Sequence, residues 1–245
     1  MKRLIAALLL ASTPVSALDL SAMTEAERDA FGAAVREYLM ENPQVLVEAI
    51  NVLEARQAEM GVQNDRALVA ANRAAIFEDG HSWVGGNPEG DLTVVEFIDY
   101  RCGVCRQAAA DVMAAVEQDG NTRLILKEFP ILGQESELAS RFAIAVHQIA
   151  GDDAYLAAHD ALMEMRGSIT ADSLAALADR IGVETEPVLN RMNTDSVTDV
   201  LRANRQLAEI MAIQGTPTFI IGDEMLRGMP RAGLAATIEA IRDGA

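Results

Sequence analysis

The sequence predicts an α/β domain preceded by an α-helical segment, and three features support this. The first is a strand at residues 92–98, followed by helical apolar spacing at 106–118 and a second strand at 123–129. Strand, helix and strand in this order form a βαβ unit. The second feature is helical spacing through residues 19–79, and the third is its return through residues 135–212.

The first 17 residues have the pattern of a secretory signal peptide. Lys2 and Arg3 precede an apolar run at residues 4–11 that is too short to span a bilayer. Small residues then lead to Ala17, after which we expect cleavage. A membrane anchor is the alternative interpretation of this segment. Export predicts an oxidising compartment, which we expect to be the periplasm.

The negative net charge limits the classes of partner. The chain has 20 Lys and Arg against 37 Asp and Glu, which gives a formal net charge of −17 at pH 7. Cleavage of the leader would remove two of the basic residues. Such a charge disfavours nucleic acid and anionic lipid as partners, so we expect neither.

Residues 18–80 are predicted to form helices with an apolar stripe, which includes Phe31, Val35 and Leu39. The segment has too few large apolar residues for a core of its own. The stripe therefore packs either on the rest of the chain or on copies of itself, and the second choice makes the protein a homo-oligomer. Residues 81–91 are rich in Gly, Pro, Asn and Asp and are predicted to be a linker.

The remaining elements belong to a second domain, expected at residues 92–245. Its helical insertion, about residues 135–212, contains five helices, at 136–150, 152–165, 171–181, 186–193 and 195–212. Residues 216–221 again have a composition typical of a β-strand. Gly222-Asp223 predicts a hairpin turn into a short partner strand at 224–227. A final helix is expected at about 231–242.

The only two cysteines, Cys102 and Cys105, lie where the first strand of the βαβ unit leads into its helix. A disulfide between them closes so short a loop that it removes little unfolded-state entropy, which argues against a structural role. A zinc site needs two more ligands, and the three histidines are scattered with no second CxxC, so we expect no metal. A cysteine hydrolase needs a histidine base that the sequence does not support. A CxxC pair within a βαβ unit favours redox exchange.

The expected position at a helix N-terminus assigns different roles to the two thiols. Cys102 would lie near free backbone N–H groups, which lower the pKa of a thiol and make it the nucleophile. Cys105, one turn later on the same face, would be more buried and would act as the resolving thiol. The redox-active group is then the Cys102–Cys105 disulfide itself, and we expect no other cofactor.

Two positions outside the motif are further candidates for the site. Glu96 is an acid within an apolar strand, and it is a candidate to take a proton from Cys105, with a raised pKa and with Lys127 as its candidate partner. A solvated strand edge is the alternative placement of Glu96. Pro217 lies within strand texture, and a cis Thr216–Pro217 bond facing the cysteines would leave a backbone edge for a substrate strand.

These residues resemble the thioredoxin superfamily, and specifically its DsbA-like branch, over about residues 84–242. The resemblance depends on the segments VVEFIDYRCGVC, KEFPILG and GTPTFIIG. It implies a thioredoxin fold with an inserted helical subdomain, and disulfide exchange with unfolded or misoxidised exported proteins. Cys102, Cys105, Glu96 and Thr216-Pro217 match the family's nucleophile, resolving thiol, buried acid and cis-proline loop.

The segment REYLMENPQVLVEAINVLEARQ resembles the leading helices of ScsC-like members, which build a dimer or trimer and shuffle wrong disulfides. Thr216, which precedes the predicted cis-proline, and Gly103, the first of the two residues between the cysteines, resemble the corresponding positions of the isomerase DsbC more than those of DsbA. Val104 departs from the aromatic or histidine that is more usual in this spacer, which tunes redox poise. We expect Thr216, Gly103 and Val104 to contact substrate.

The resemblance therefore implies a disulfide isomerase that a membrane thiol reductase keeps reduced. The alternative within the class is a DsbA-like oxidase, which donates disulfides and is served by a membrane oxidase. Outside the class, a chaperone-like binding protein with an incidental CxxC is the remaining alternative.

Overall fold

The computed structural model describes residues 23–244, so the predicted signal peptide and its cleavage site lie outside the described residues. The chain divides into two compact units, with the boundary between Gln57 and Ala58. Within the described range, none of the helices combines the length and the apolar character that crossing a bilayer requires.

The first unit contains α1 (Glu25–Glu41) and the first half of α2 (Gln44–Ala71). Thr24 and Glu27 form a capping box that begins α1, since each side chain bonds the other's backbone N–H. No residue of α1 is buried. Leu39 and Val45 are partly buried, and nine large apolar side chains of the described part of this unit are exposed: Phe31, Val35, Tyr38, Met40, Leu46, Val47, Ile50, Val52 and Leu53.

The second unit contains the end of α2 and all later elements. Its strands are β1 (Trp83–Gly86), β2 (Leu92–Ile98), β3 (Thr122–Glu128), β4 (Thr218–Ile221) and β5 (Glu224–Arg227). Its later helices are α3 (Arg73–Phe77), α4 (Gly103–Asp119), α5 (Gln134–Ala150), α6 (Asp152–Glu164), α7 (Ala171–Ile181), α8 (Thr185–Arg191), α9 (Asp195–Ile210) and α10 (Leu234–Asp243). The five predicted helices of the insertion therefore form, and Thr170 caps the N-terminus of α7.

The strands form one mixed sheet in the order β1-β3-β2-β4-β5. β2 pairs with β3 in parallel, which confirms the predicted βαβ unit, and β4 pairs with β5 as the predicted hairpin. Because side chains alternate along a strand, the sheet presents one apolar set to each layer of helices. Val94 and Ile98 face the cluster that holds α4 and the insertion, and Val95 and Phe97 face the cluster that holds α3 and the end of α9.

The prediction of a linker at residues 81–91 is wrong for its central part, because Trp83–Gly86 form the edge strand β1 against β3. The Trp83 ring is buried and lies across Gly85, where a Cβ atom would meet ring carbons within 2.0–2.7 Å. Gly86 has φ +67°, and its Cβ would meet the carbonyl oxygen of Thr122 at 2.4 Å. The glycines that suggested flexibility are present because the packing leaves no room for side chains.

The expected domain boundary near residue 80 is also displaced, because the compact second unit begins at Ala58. Val69, Ile76 and Phe77 are buried in the cluster that covers one face of the sheet. The C-terminal part of the predicted helical segment therefore belongs to the core of the α/β unit.

Candidate active site

Cys102 lies at the end of the short turn that follows β2, and it is the N-cap residue of α4. Its backbone N–H donates to the Asp99 carbonyl at 3.0 Å, which closes the turn. Its Sγ lies 3.1 Å from the Thr216 carbonyl oxygen, and 7% of the residue is exposed. Cys105, one helical turn later, is fully buried, and both thiols are free.

The surroundings shift the pKa values of the two thiols in opposite directions. Burial raises the pKa of Cys102, but hydrogen bonds from the Thr216 side chain and from the backbone N–H groups of Cys105 and Val104 outweigh it, and the net pKa is lowered. Burial raises the pKa of Cys105 well above its ordinary value, and negative charge on Glu96 and Cys102 adds to the effect. The site therefore makes Cys102 the more easily ionised of the two thiols and keeps Cys105 protonated.

Glu96 lies in the centre of β2, which is paired on both sides, so its alternative placement at a solvated strand edge is wrong. The residue is 3% exposed, and no basic side chain of the described residues forms an ion pair with it. Burial, with a smaller contribution from the charge of Cys102, raises the pKa of Glu96 to about 8. A carboxyl group with this pKa can hold or release a proton beside the two thiols at neutral pH.

Lys127 is not the partner of Glu96, and that prediction is wrong. In the parallel register Lys127 is opposite Phe97, whereas Glu96 is opposite Leu126. Because side chains alternate, Lys127 therefore points to the other face of the sheet. There its ammonium group forms a buried ion pair with Asp79 and donates to the Ala75 carbonyl at 3.0 Å.

Removing one partner of this buried pair is expected to destabilise the second unit. Lys127→Met leaves the Asp79 carboxylate without its cation, and Asp79→Asn leaves a buried ammonium group, at a cost of about 3 kcal/mol each. Urea unfolding of both single variants measures this cost. The double variant should recover most of the loss, and additive losses in it would contradict the direct pairing.

The Thr216–Pro217 peptide bond is cis, as predicted. Fewer backbone groups than expected are free to pair with a substrate strand here, because the Pro217 carbonyl already accepts the Gly228 N–H at 2.9 Å. The Thr216 carbonyl instead faces the Cys102 thiol. A thiolate has no proton to donate, so ionisation of Cys102 frees this carbonyl to accept an N–H from another chain.

The spacer residues Gly103 and Val104 are both exposed at the start of α4, with Val104 47% exposed. Beside them, Arg106 donates to the carbonyl oxygens of Met163 and Met165 at 2.8 and 2.5 Å. These bonds hold the end of α6 against the start of α4. A cavity of about 690 Å³ lies at this junction, lined by Gly103, Arg106, Gln107, Met163, Glu164 and Arg166.

Sequence reasoning missed several polar residues that surround the motif. Asp99 is fully buried directly after β2, and Glu128 is buried at the end of β3. The hydroxyl groups of Tyr100 and Tyr155 both donate to Glu128 Oε1 at 2.7 Å, and burial raises the pKa of Glu128 to about 7. The available signal was an acid directly at the C-terminal end of each parallel strand, where functional side chains collect.

Comparisons with known proteins agree with this geometry. The model of the DSBA-like thioredoxin domain family matches residues 93–237. The model of the copper resistance protein ScsC N-terminal domain matches residues 27–59, which lie mostly in the first unit.

Three solved structures illustrate the likeness. A thioredoxin-like oxidoreductase from Silicibacter pomeroyi is 37% identical, covers 71% of this chain and 96% of its own, and gives a TM-score of 0.64. BcfH from Salmonella enterica Typhimurium is 28% identical, with 90% and 96% of the chains covered and a TM-score of 0.74. Proteus mirabilis ScsC in a transitional conformation is 28% identical, with 92% and 98% covered and a TM-score of 0.63.

Curated relatives are more distant. Na⁺/H⁺ antiporter NhaA 3 of Salinispora tropica is 23% identical over 168 residues, 66% of this chain, but the chain spans only 26% of the antiporter's length. Disulfide bond formation protein D of Bacillus subtilis is 23% identical over 154 residues, 58% of this chain and 68% of the relative. Because the DSBA-like model covers more than half of the chain, and the two thiols occupy the N-terminus of α4, the chain belongs to the DsbA-like thioredoxin family of thiol-disulfide oxidoreductases.

Proposed function

We propose that the protein is an exported, oligomeric thiol-disulfide isomerase that acts in the periplasm on unfolded or misoxidised proteins. The observation that carries the chemistry is the asymmetry of the two thiols. Cys102 caps α4 with a lowered pKa, while Cys105 is fully buried with a raised pKa. Cys102 is therefore the nucleophile, and Cys105 is the resolving thiol, which reacts only in a later step.

In the proposed reaction, the Cys102 thiolate attacks one sulfur of a wrong disulfide in the client. A Cys102–client disulfide forms and the other client sulfur leaves as a thiolate. A different client thiolate then attacks the mixed disulfide, which forms the correct client disulfide and returns Cys102 as a thiolate. The net reaction rearranges client disulfides without consuming an oxidant or a reductant.

Cys105 provides a second way to release the client from the mixed disulfide when no client thiol attacks it. Its thiol loses a proton, for which the ionised form of Glu96 is our candidate acceptor, and the resulting thiolate attacks Cys102 Sγ. The client leaves reduced, and the protein is left with a Cys102–Cys105 disulfide. A membrane thiol reductase must then return two electrons to restore the dithiol, so we propose such a partner.

The thiol state inside the cell separates isomerase from oxidase. Acid quenching followed by alkylation with a mass-adding reagent reports whether Cys102 and Cys105 are reduced. We expect a mostly reduced pair, because an isomerase needs its free thiolate. A mostly oxidised pair would favour the alternative, a DsbA-like disulfide donor, for which the likeness to disulfide bond formation protein D is the supporting observation.

The exposed apolar side chains of the first unit support a homo-oligomer. Residues such as Leu46, Ile50 and Leu53 follow the spacing of one helix face and are about half exposed. Exposed apolar residues in such number favour contact with further copies of the same helices. The match of residues 27–59 to the ScsC N-terminal domain agrees with a separate oligomerisation module in this part of the chain.

Removal of residues 18–57 is expected to convert the oligomer into a folded monomer with weaker isomerase activity. The cut is placed at Gln57 because residues 58–80 contribute Val69 and Asp79 to the second unit, and deleting them would unfold it. Light scattering gives the mass, and circular dichroism checks folding. An unchanged number of subunits per particle relative to the full chain would refute the proposed oligomerisation segment.

A further inference from the structure

Asp99 is a fully buried carboxylate that the proposed reaction does not use. Its Oδ1 accepts the backbone N–H of Arg101 at 2.7 Å, in the turn that leads to Cys102. Its Oδ2 accepts the backbone N–H groups of Ile131 and Leu132 at 2.8 and 3.0 Å, in the loop that follows β3. One side chain therefore joins two segments that are about thirty residues apart in the sequence.

The three N–H groups stabilise this carboxylate in place of a cation. No basic side chain of residues 23–244 forms an ion pair with Asp99. A buried carboxylate is costly unless hydrogen-bond donors surround it, and charge-assisted hydrogen bonds of this kind are strong. The geometry of the three bonds also leaves little freedom, because each carboxylate oxygen serves a different segment.

The hydrogen bonds of Asp99, which we call the Asp99 bridge, limit the distance between the CxxC motif and the loop that contains Ile131 and Leu132. With both segments bonded to one carboxylate, the backbone nitrogen of Ile131 lies no further than roughly 8 Å from that of Arg101. Arg101 directly precedes Cys102 in the chain. The Asp99 hydrogen bonds therefore keep the Ile131-Leu132 loop close to the residue that precedes Cys102.

The side chains on that loop point to solvent. Ile131 is 39% exposed and Leu132 is 53% exposed, although both backbone N–H groups are bonded to Asp99 inside the protein. The chain as a whole carries a formal net charge of −17. An apolar contact next to the nucleophile allows binding to unfolded clients without depending on the sign of their charge.

We propose that Asp99 is a positioning residue for client binding. Its carboxylate holds Ile131 and Leu132 at a fixed distance from Cys102, and these two side chains bind an apolar residue next to the client cysteine. The inference rests on the proposed function, because it takes the client to be an extended polypeptide. It adds a preference: clients with an apolar residue close to the reacting cysteine react faster.

Asp99→Asn tests the bridge with an isosteric side chain. An amide has one accepting oxygen, and its NH₂ group faces N–H donors, so one of the two segments loses its bond. The two substrates are a small aromatic disulfide and an unfolded peptide disulfide with leucine beside the cysteine. We expect the variant to slow Cys102 attack on the peptide about tenfold more than attack on the small disulfide. The pH profile of the small-disulfide reaction should keep its midpoint, since the groups that lower the Cys102 pKa remain.

A variant with Ile131→Ser and Leu132→Ser tests the contact separately, and the exposure of both side chains keeps its folding cost small. It should show the same selective loss with the peptide, and it decides the question if Asp99→Asn fails to fold. Asp153→Asn, at an exposed position of α6, is the control for loss of one charge.

Two results would overturn the inference. One is an equal slowing of both substrates by Asp99→Asn, and the other is no selective loss with the peptide in the Ile131 and Leu132 variant. A wild-type protein that reacts with the small disulfide and with no peptide would instead refute the proposed function, and the inference with it.

Discussion

Cys102→Ser is expected to abolish thiol-disulfide exchange, with a loss of at least about a thousandfold in rate. The hydroxyl of serine has no accessible anion at neutral pH, and the donors at the N-terminus of α4 cannot lower its pKa far enough to supply one. Cys105 does not replace Cys102, since it is fully buried and its pKa is raised. The measurement is the refolding rate of a client protein with scrambled disulfides.

Cys105→Ser is the matched control. This variant keeps the nucleophile and removes the resolving thiol, so it should still attack clients and should accumulate Cys102–client disulfides on non-reducing gels. A Cys102→Ser protein that retained full activity in suppressing client aggregation, with no exchange activity in the wild type, would favour the chaperone-like alternative and contradict the proposal.

Glu96→Gln is expected to stabilise the protein strongly at high pH. The folded-state pKa of Glu96, about 8, lies above its ordinary value of 4.5, so the folded protein holds the proton more tightly than the unfolded chain does. The stability that neutral Glu96 contributes is fully present below about pH 4.5 and is lost as the pH rises through about 8. Glutamine stays neutral throughout, so the variant should gain on the order of 4 kcal/mol over wild type above about pH 8.

Urea unfolding at about pH 4, 7 and 9 measures this difference, which should be near zero at the lowest value and grow with pH. Glu186→Gln, at an exposed position of α8, is the control for loss of one negative charge. A stability difference between Glu96→Gln and wild type that does not change with pH would contradict the raised pKa of Glu96.

The same variant separates stability from function. Glutamine cannot accept the Cys105 proton, so reduction of the mixed disulfide by Cys105 should slow at least about tenfold, while the first attack by Cys102 stays fast. Stopped-flow measurement of the two steps shows the split. Equal slowing of both steps would assign Glu96 a structural effect on the whole motif.

Local patterns were sufficient to predict much of the fold. Strands β2 and β5 and helix α7 coincide with their predicted ranges, because alternation, β-branched residues and a cap at Thr170 act within short stretches of chain. The position of Cys102 at the start of α4 follows from the same local logic. A strand that leads directly into a helix places the connecting residue at the helix N-terminus.

Errors in the predictions arose where distant segments meet. The glycines at Gly85 and Gly86 suggested a linker, whereas they permit the Trp83 ring and the Thr122 backbone to approach closely. Composition cannot distinguish a glycine selected for flexibility from one selected for close packing, since both lack a side chain.

Two cysteines after a strand, an acid within that strand and a proline directly before a later strand are local features, and they were enough to predict a thiol-disulfide site. Which charged groups pair with one another depends on how distant segments meet in the fold. The register of β2 on β3 turns Lys127 away from Glu96 and towards Asp79, and the folding of the β3 loop brings Ile131 to Asp99. Such pairings depend on which segments become neighbours, and a one-residue change of register would reverse them, so local sequence patterns do not specify them.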